Sequence, residues 1–309
     1  MSIIWEKATP SNAEEVYRFR YEQYFAERDG LPGTDHEARR VWLPHDDCSW
    51  HFMARSPEGG IVAVGTATPA FEPSLYEEWK DMFEVPRLAP ILHKMVLISR
   101  AIVAEEVRNS AFFGSLCLHL ARTFTSEGYH YAAHYCAPAM VPLYERLGYR
   151  IYGHGKALHN GAFRLPMMLL IDDVPYLKSM RSPLGSLGRD AEANREWTEL
   201  ALSTCPELAT TPLCAMPDAE RRSFLVEHCP ALAEQPELLR SLRRGAVIPL
   251  RAGDVLAPAG CDEGMFFVLS GMLEQEGKAA PAGTPLHTGQ KAAKALQDSL
   301  VISAVFDKE

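Results

Sequence analysis

The sequence predicts an α/β domain, a helical linker and a small all-β module. Two observations carry this. Between Met95 and Gly153 the hydrophobic period alternates between two and 3.6, giving strand, helix, strand, helix, strand. After Gly245 the pattern becomes short apolar runs with turn residues between them, AVIPLRAGDVLAPAGCDEGMFFVLSGMLEQEG. A length of 309 residues exceeds one typical domain, and the first domain is large enough to bury a full core. The expected segments are 1–184, 185–244 and 245–309.

The elements follow in chain order. Ser11-Asn12-Ala13-Glu14 has the form of a capping box and starts a helix running to about Arg28, with Val16, Phe19 and Gln23 on one stripe and Tyr17, Tyr21, Tyr24 and Phe25 beside it. Residues 29–45 combine Gly, Pro and charge and read as a loop. SWHFMAR and IVAVGTA read as strands joined by a hairpin turn at Gly59-Gly60. Residues 70–94 hold Pro73, Pro86 and Pro90 and read as irregular, lining a pocket. MVLISRAIV is nearly continuous in apolar residues, as expected of a strand buried on both faces. Ser110 is an N-cap candidate for a helix with Phe112, Leu116, Leu120 and Phe124 on one side, stopped at Gly128. YHYAAHYC is the next strand. Pro138 opens a short helix that tolerates Pro142 only in its first turn, Gly148 closes it, and YRIYG follows. FRLPMMLLID is the last strand of the domain, and SPLGSLGRD marks a linker. Residues 191–244 carry three helical patterns broken by prolines, one of them starting at Asp218. AAPAGTPLHTGQKAAKA is compositionally simple and reads as poorly ordered.

Hydrophobic content of 47% and charged content of 23% are those of a soluble globular protein, and a net charge of −9 argues against broad nucleic-acid binding. Seven cysteines without C-x-x-C spacing read as reduced thiols of a cytosolic protein. MSIIWEK lacks the character of a signal peptide, and PMMLLI is too short to span a bilayer, so the expected location is cytoplasmic. There is no C-x-x-C, Walker or nucleophile-elbow motif, so metal, P-loop and serine-hydrolase readings have no support.

LYERLGYRIYG resembles the closing motif of the GNAT acyltransferase superfamily, and LISRAIV with EEVR resembles its central strand and donor-binding helix. The spacing of ISR, CAP, the Tyr-Glu-Arg-Leu-Gly box and a later PM is most similar to the N-acyl amino acid synthases, relatives of the acyl-homoserine-lactone synthases. The resemblance covers residues 10 to 184. It implies a GNAT-like mixed twisted sheet flanked by helices. The implied reaction moves a medium or long acyl chain from acyl carrier protein to the α-amine of an amino acid or similar small amine. No cofactor is held permanently, and acyl-phosphopantetheine is the donor. Because that carrier is acidic, docking calls for a basic patch, with Arg18, Arg28, Arg39, Arg40, Arg146 and Arg150 as candidates.

The resemblance also implies roles. Splayed central strands would let backbone N–H groups near Ile102 and Val103 polarise the thioester carbonyl. Tyr144 matches the tyrosine that protonates the leaving thiolate; the plainer account is a packing aromatic. Arg20 and Tyr24 match a pair shaping the donor site, with a core-facing helix as the rival explanation. Ser99 and Arg100 match a Ser-Arg acceptor motif, where Arg100 would bind a carboxylate or the Asp46/Asp47 pair. His134, or Asp46 or Asp47 through a water, are candidate bases. Cys136 reads as packing rather than as a nucleophile.

Two departures narrow the reading. Arg108-Asn109-Ser110-Ala111-Phe112-Phe113 stands at the pyrophosphate loop, where Phe113 would crowd two phosphates; a carrier-bound pantetheine has one, which favours acyl carrier protein over acyl-CoA. Leu97 replaces the glutamate expected two residues before the serine of lactone synthases. The alternatives are a lactone-type autoinducer synthase and a catalytically silent sensory or interaction protein. The last segment resembles the start of a cyclic-nucleotide-binding β-roll, but Arg251 is the last arginine, so no guanidinium remains for a cyclic phosphate. The expected use of this degenerate roll is packing against the acyltransferase or self-association into a homo-oligomer.

Overall fold

The computed structural model describes residues 3–27, 33–72, 77–108, 112–157, 163–187, 192–242, 245–256, 265–288 and 291–304. The class is mixed α/β, with a large mixed sheet flanked by helices and small antiparallel sheets toward the C-terminus. The chain divides into two compact units, residues 1–134, 170–174 and 183–200, and residues 135–169, 175–182 and 201–309.

In the first unit the elements are β1 (Ile4–Lys7), α1 (Ala13–Glu27), a short hairpin of β2 (Thr34–Asp35) and β3 (Arg40–Val41), β4 (Trp50–Arg55), β5 (Ile61–Pro69), α2 (Glu77–Met82), β6 (Met95–Val103), α3 (Phe112–Ser126) and the start of β7 (Tyr131–Cys136). The strand order is β1-β4-β5-β6-β7; the first three pairings are antiparallel and the last is parallel. The β4–β5 turn closes where expected, with Gly59 at φ 89° and Ser56 N–H donating to the Gly60 carbonyl. Val16, Tyr17 and Phe19 of α1 pack on Met53, Val64 and Ile102, one residue from each of β4, β5 and β6. Leu116, Leu120 and Phe124 of α3 are buried as its period requires. A Cβ at Gly65 would lie 2.9 Å from Leu120 Cδ1, so glycine there permits a close approach of α3 to β5.

Two expectations change here. The α1 cap is not the Ser11–Glu14 box: Asn12 Oδ1 accepts from the Thr9 N–H at 2.6 Å and the Ser11 hydroxyl meets that of Thr9, while Glu14 lies 3.6 Å from both Arg18 and Arg40. Residues 70–94 are not wholly irregular, because Trp79 and Met82 recur at helical spacing on α2 and are buried, as is Phe83 just past its end. Residues 183–200 belong to the first unit. Trp197 stacks on His130 with centroids 4.5 Å apart, its carbonyl accepts from Tyr131 Oη at 2.6 Å, and Asp172 holds His130 Nδ1 at 2.6 Å. Ser110 lies outside the described residues.

The second unit holds the end of β7, α4 (Val141–Leu147), β8 (Arg150–Ile151), β9 (Lys156–Ala157), β10 (Phe163–Leu170), most of α5 (Val174–Ser179), the end of α6 (Arg195–Thr204), α7 (Asp218–His228), α8 (Pro236–Leu242), and β11 (Ala246–Leu250), β12 (Met265–Ser270), β13 (Met272–Gln275), β14 (Lys278–Pro281), β15 (Pro285–His287), β16 (Ala293–Ala295) and β17 (Ser299–Ala304). Pro142 sits in the first turn of α4, and Gly148 caps it in the left-handed conformation at φ 100°. Strand β10 tolerates Pro166 because its pairings with β9 and β8 involve residues 163–164 and 167–168, leaving the proline between two ladders. Leu213, Leu225, Leu232 and Leu242 of the helical segment share one core with Phe267, Leu269 and Ile302. The late strands form two sheets, ordered β11-β17-β12-β15 and β14-β13-β16. The compositionally simple stretch 279–295 is therefore not structureless: it supplies β15, β16 and most of β14, with Ala280, Leu286, Ala293 and Ala295 buried. Among the described residues no helix is long and apolar enough to cross a membrane.

Candidate active site

Strand β6 is irregular at two places, and both shape the site. It pairs with β7 only at Met95↔Tyr131, Val96↔Ala132 and Leu97↔Ala133, yet continues to Val103. Beyond Leu97 one of its edges is released from β7. The second irregularity is a bulge facing β5: Val64 pairs with Ile102 and Thr66 with Ser99, so Arg100 and Ala101 together oppose Gly65. Arg100 adopts φ 49°, a left-handed conformation that costs a non-glycine residue about 1–3 kcal/mol and is held by its surroundings.

What holds it is an ion cluster. Arg100 Nη1 donates to Asp46 Oδ2 at 2.6 Å, and Arg20 Nη1 lies 3.1 Å from the same oxygen. The side chains of Arg20 and Asp46 are both fully buried. Asp46 sits in a 3-10 turn, Pro44–Cys48, where its Oδ2 also accepts the Leu43 N–H at 2.8 Å. Burial alone would push the Asp46 carboxyl up, but the two guanidiniums and the Leu43 bond outweigh it and hold the pKa below the usual carboxylate value. Two guanidiniums thus share one carboxylate oxygen.

Around this core lie residues that sequence reasoning did not single out. Arg20 Nη2 donates to Thr66 Oγ1 at 2.5 Å and is 3.1 Å from His51 Nδ1. His51 Nε2 is 3.0 Å from the Asp46 carbonyl and 3.3 Å from Tyr17 Oη. Burial, reinforced by Arg20, lowers the His51 pKa to about 4, so the ring is neutral near pH 7; burial and Asp46 raise that of Tyr17 to about 12. His51 and Thr66 are cross-strand partners, but counting outward from the Gly59-Gly60 turn would pair His51 with Gly65, because the register shifts by one residue between Ala54 and Arg55.

The remaining expected residues fall as follows. Ser99 precedes the bulge, directly opposite Thr66. Ile102 and Val103 lie on the released stretch of β6, both buried. The Ala104 N–H donates to the Val62 carbonyl of β5, so strand alternation turns the Val103 N–H to the opposite, open edge and that of Ile102 toward β5. Arg108 is exposed, and its Nε donates to the Val103 carbonyl at 2.9 Å. Asn109 lies outside the described residues, as does Ser110. Tyr24 is in α1, and Phe112 packs against Trp5 at 5.4 Å. Asp47 is exposed and accepts from Trp42 Nε1 at 3.1 Å, so the two neighbouring aspartates occupy opposite environments. His134 is buried on β7. Tyr144 belongs to the second unit, half-buried on α4 with its ring edge-on to Tyr149, and Cys136 contacts Met167 there. Of the basic-patch candidates, Arg150 is buried over the Tyr176 ring at 3.9 Å and cannot serve a surface; Arg18 and Arg40 are already beside Glu14.

No protein-family model and no curated protein matches the chain. Among solved structures it is similar to BjaI, a CoA-dependent acyl-homoserine lactone synthase, at 15% identity over 60% of this chain and 90% of that one, with a TM-score of 0.48. It is similar to MesI, also a CoA-dependent acyl-homoserine lactone synthase, at 16% identity over 58% and 93% with a TM-score of 0.44. It is also similar to FeeM, an N-acyl amino acid synthase from uncultured soil microbes, at 14% identity over 61% and 99% with a TM-score of 0.45.

Proposed function

We propose that the chain is an N-acyltransferase that moves a medium or long acyl group from the pantetheine thioester of acyl carrier protein to the α-amine of an amino acid. The observation that carries this reading is the Arg20–Asp46–Arg100 cluster, whose Arg100 stands on β6 beside an edge released from β7. A carboxylate-bearing acceptor complements the Arg100 guanidinium, of which only Nη1 is engaged by Asp46 among the described residues.

In this reading the acceptor amine attacks the thioester carbonyl carbon. Negative charge collects on the carbonyl oxygen, where the Val103 N–H on the open edge, with Ile102 fixing the strand against β5, is the proposed donor. The C–N bond forms, the C–S bond breaks, and the thiolate takes a proton. Tyr144 is the proposed source of that proton, on the strength of the closing motif. His134 and Asp47, the latter through a water, are the proposed acceptors of the amine proton; Asp46, held ionised by two arginines, is a poorer base and a better anchor. Arg20 and Tyr24 shape the donor side from α1. Arg108, Asn109 and Ser110 are the proposed contacts for the single pantetheine phosphate, and the aromatic start of α3 favours the carrier-protein thioester over acyl-CoA. No permanently bound cofactor is called for.

Expression in a bacterial host with mass spectrometry of the lipid extract tests the reading. N-acyl amino acids absent from the control support it. Acyl-homoserine lactones would support the autoinducer alternative, and an unchanged extract the silent one.

A further inference from the structure

The 3-10 turn that carries Asp46 also buries His45, which is 1% exposed. Its backbone is fixed from below: Ser49 Oγ donates to the His45 carbonyl at 2.6 Å and meets Thr68 Oγ1, also at 2.6 Å. Its ring lies against Trp79 of α2, with centroids 4.4 Å apart. Among the described residues neither His45 ring nitrogen has a hydrogen-bond partner, nor do Asp46 Oδ1 or Ser99 Oγ. A buried polar group left unmade costs about 1–3 kcal/mol, so four such atoms in one place need an explanation.

Their arrangement supplies one. Ser99 stands opposite Thr66, and Leu97 opposite Thr68, so Ser99 Oγ shares the sheet face on which Arg20 and Ser49 engage the two threonines. Successive side chains of a 3-10 turn diverge by roughly 120°. Asp46 points to Arg20 and Arg100, whereas His45 points to α2. Burial, with Arg100 and Arg20 adding to it, lowers the His45 pKa to about 4, so near pH 7 the ring offers one donor and one acceptor.

We infer that His45 is a specificity-determining residue that hydrogen-bonds a hydroxyl or amide on the side chain of the acceptor amino acid, while Asp46 Oδ1 and Ser99 Oγ receive its amine and Arg100 its carboxylate. This rests on the acyltransfer reading and adds to it the class of acceptor: a polar amino acid. An aliphatic side chain would leave the imidazole nitrogens unpaired, and sites built around a hydrogen bond reject such analogues strongly.

The test offers purified protein and acyl carrier protein thioester an equimolar mixture of serine, threonine, asparagine, glutamine, valine, leucine and phenylalanine, with products resolved by mass spectrometry. Melting shifts with each amino acid alone are measured in parallel. The wild type is expected to prefer polar acceptors by about tenfold or more in kcat/KM. His45→Phe, which keeps a ring but no polar atom, is expected to lose that preference, and His45→Gln to retain it. An aliphatic preference in the wild type overturns the inference, whether or not either variant folds. So does a folded His45→Phe with the wild-type profile. If no amine is acylated, the acyltransfer reading fails, and the melting shifts decide separately: larger shifts with polar than aliphatic amino acids uphold the subsite, and equal or absent shifts overturn it.

Discussion

Replacing Asp46 by Asn leaves the shape of the ion cluster nearly unchanged and removes the negative charge that both arginines share. Arg20 and Arg100 both reach Asp46 Oδ2, at 3.1 and 2.6 Å, and the Arg20 and Asp46 side chains have no solvent exposure. The amide oxygen still accepts the Leu43 N–H, so the loss is chiefly electrostatic: both guanidiniums lose the carboxylate they share. Breaking a buried pair in this way costs about 3–5 kcal/mol, and the surviving backbone bond places the expected loss near ~3 kcal/mol. Urea unfolding followed by tryptophan fluorescence isolates the effect, because all five tryptophans (Trp5, Trp42, Trp50, Trp79 and Trp197) lie in the first unit. With a slope of about 2 kcal/mol per molar, the midpoint should fall by roughly 1.5 M. Asp47→Asn, at an exposed neighbour that keeps an oxygen for Trp42, should stay within about 0.5 kcal/mol of the wild type. Acid titration gives a second reading. The folded pKa of Asp46 lies below its ordinary value of 3.8, so its contribution is complete above that pH and is lost as pH falls through the folded value. Asp46→Asn should lack this component of acid unfolding. A variant whose midpoint matches the wild type, or one no worse than Asp47→Asn, would refute the reasoning.

Glu145, buried on α4 beside Cys214, has its pKa raised to about 8 by burial, against 4.5 when free; the folded state thus holds a proton that the unfolded chain has released, and stability should decline as pH rises from about 5 through 8. Glu145→Gln should flatten that decline when urea midpoints are read by circular dichroism across the range. Gly148→Ala should destabilise the second unit by more than about 1–3 kcal/mol, since it combines a φ of 100° with a Cβ 2.3 Å from Leu177 Cδ2; hydrogen exchange of α4 and α5 measures this. Tyr144→Phe should slow acyl transfer by about ten- to a thousand-fold with the melting temperature little changed, and unaltered turnover would remove its proposed role.

Periodicity located α1 and α3 by their buried stripes and near-continuous apolar runs located β6 and β7, while the stops fell at Gly128 and Gly148, whose φ values of 85° and 100° only glycine adopts readily. What escaped it depends on contacts between distant segments. Arg20 and Asp46 are 26 positions apart, and nothing local says that both lose all exposure. The Arg100 bulge is a mismatch between two strands, and a single strand carries no trace of it. His51 looked like any strand histidine until its position opposite Thr66 put it within reach of Arg20. The stretch 279–295 misled because composition discounts alanine, although Ala280, Ala293 and Ala295 are small enough to be buried in closely paired short strands. Ser11 misled for the opposite reason: the motif was present, but Thr9 and Asn12 offered a tighter turn.

Transfer itself is the most direct measurement. Purified protein is mixed with a medium-chain acyl carrier protein thioester and a pool of amino acids, and released thiol and N-acyl amino acid are quantified together; acyl-CoA is run beside it. The account predicts one amide formed for each thiol released, with the carrier-protein donor faster than acyl-CoA. Thiol release without amide, or none above the protein-free blank, would contradict it.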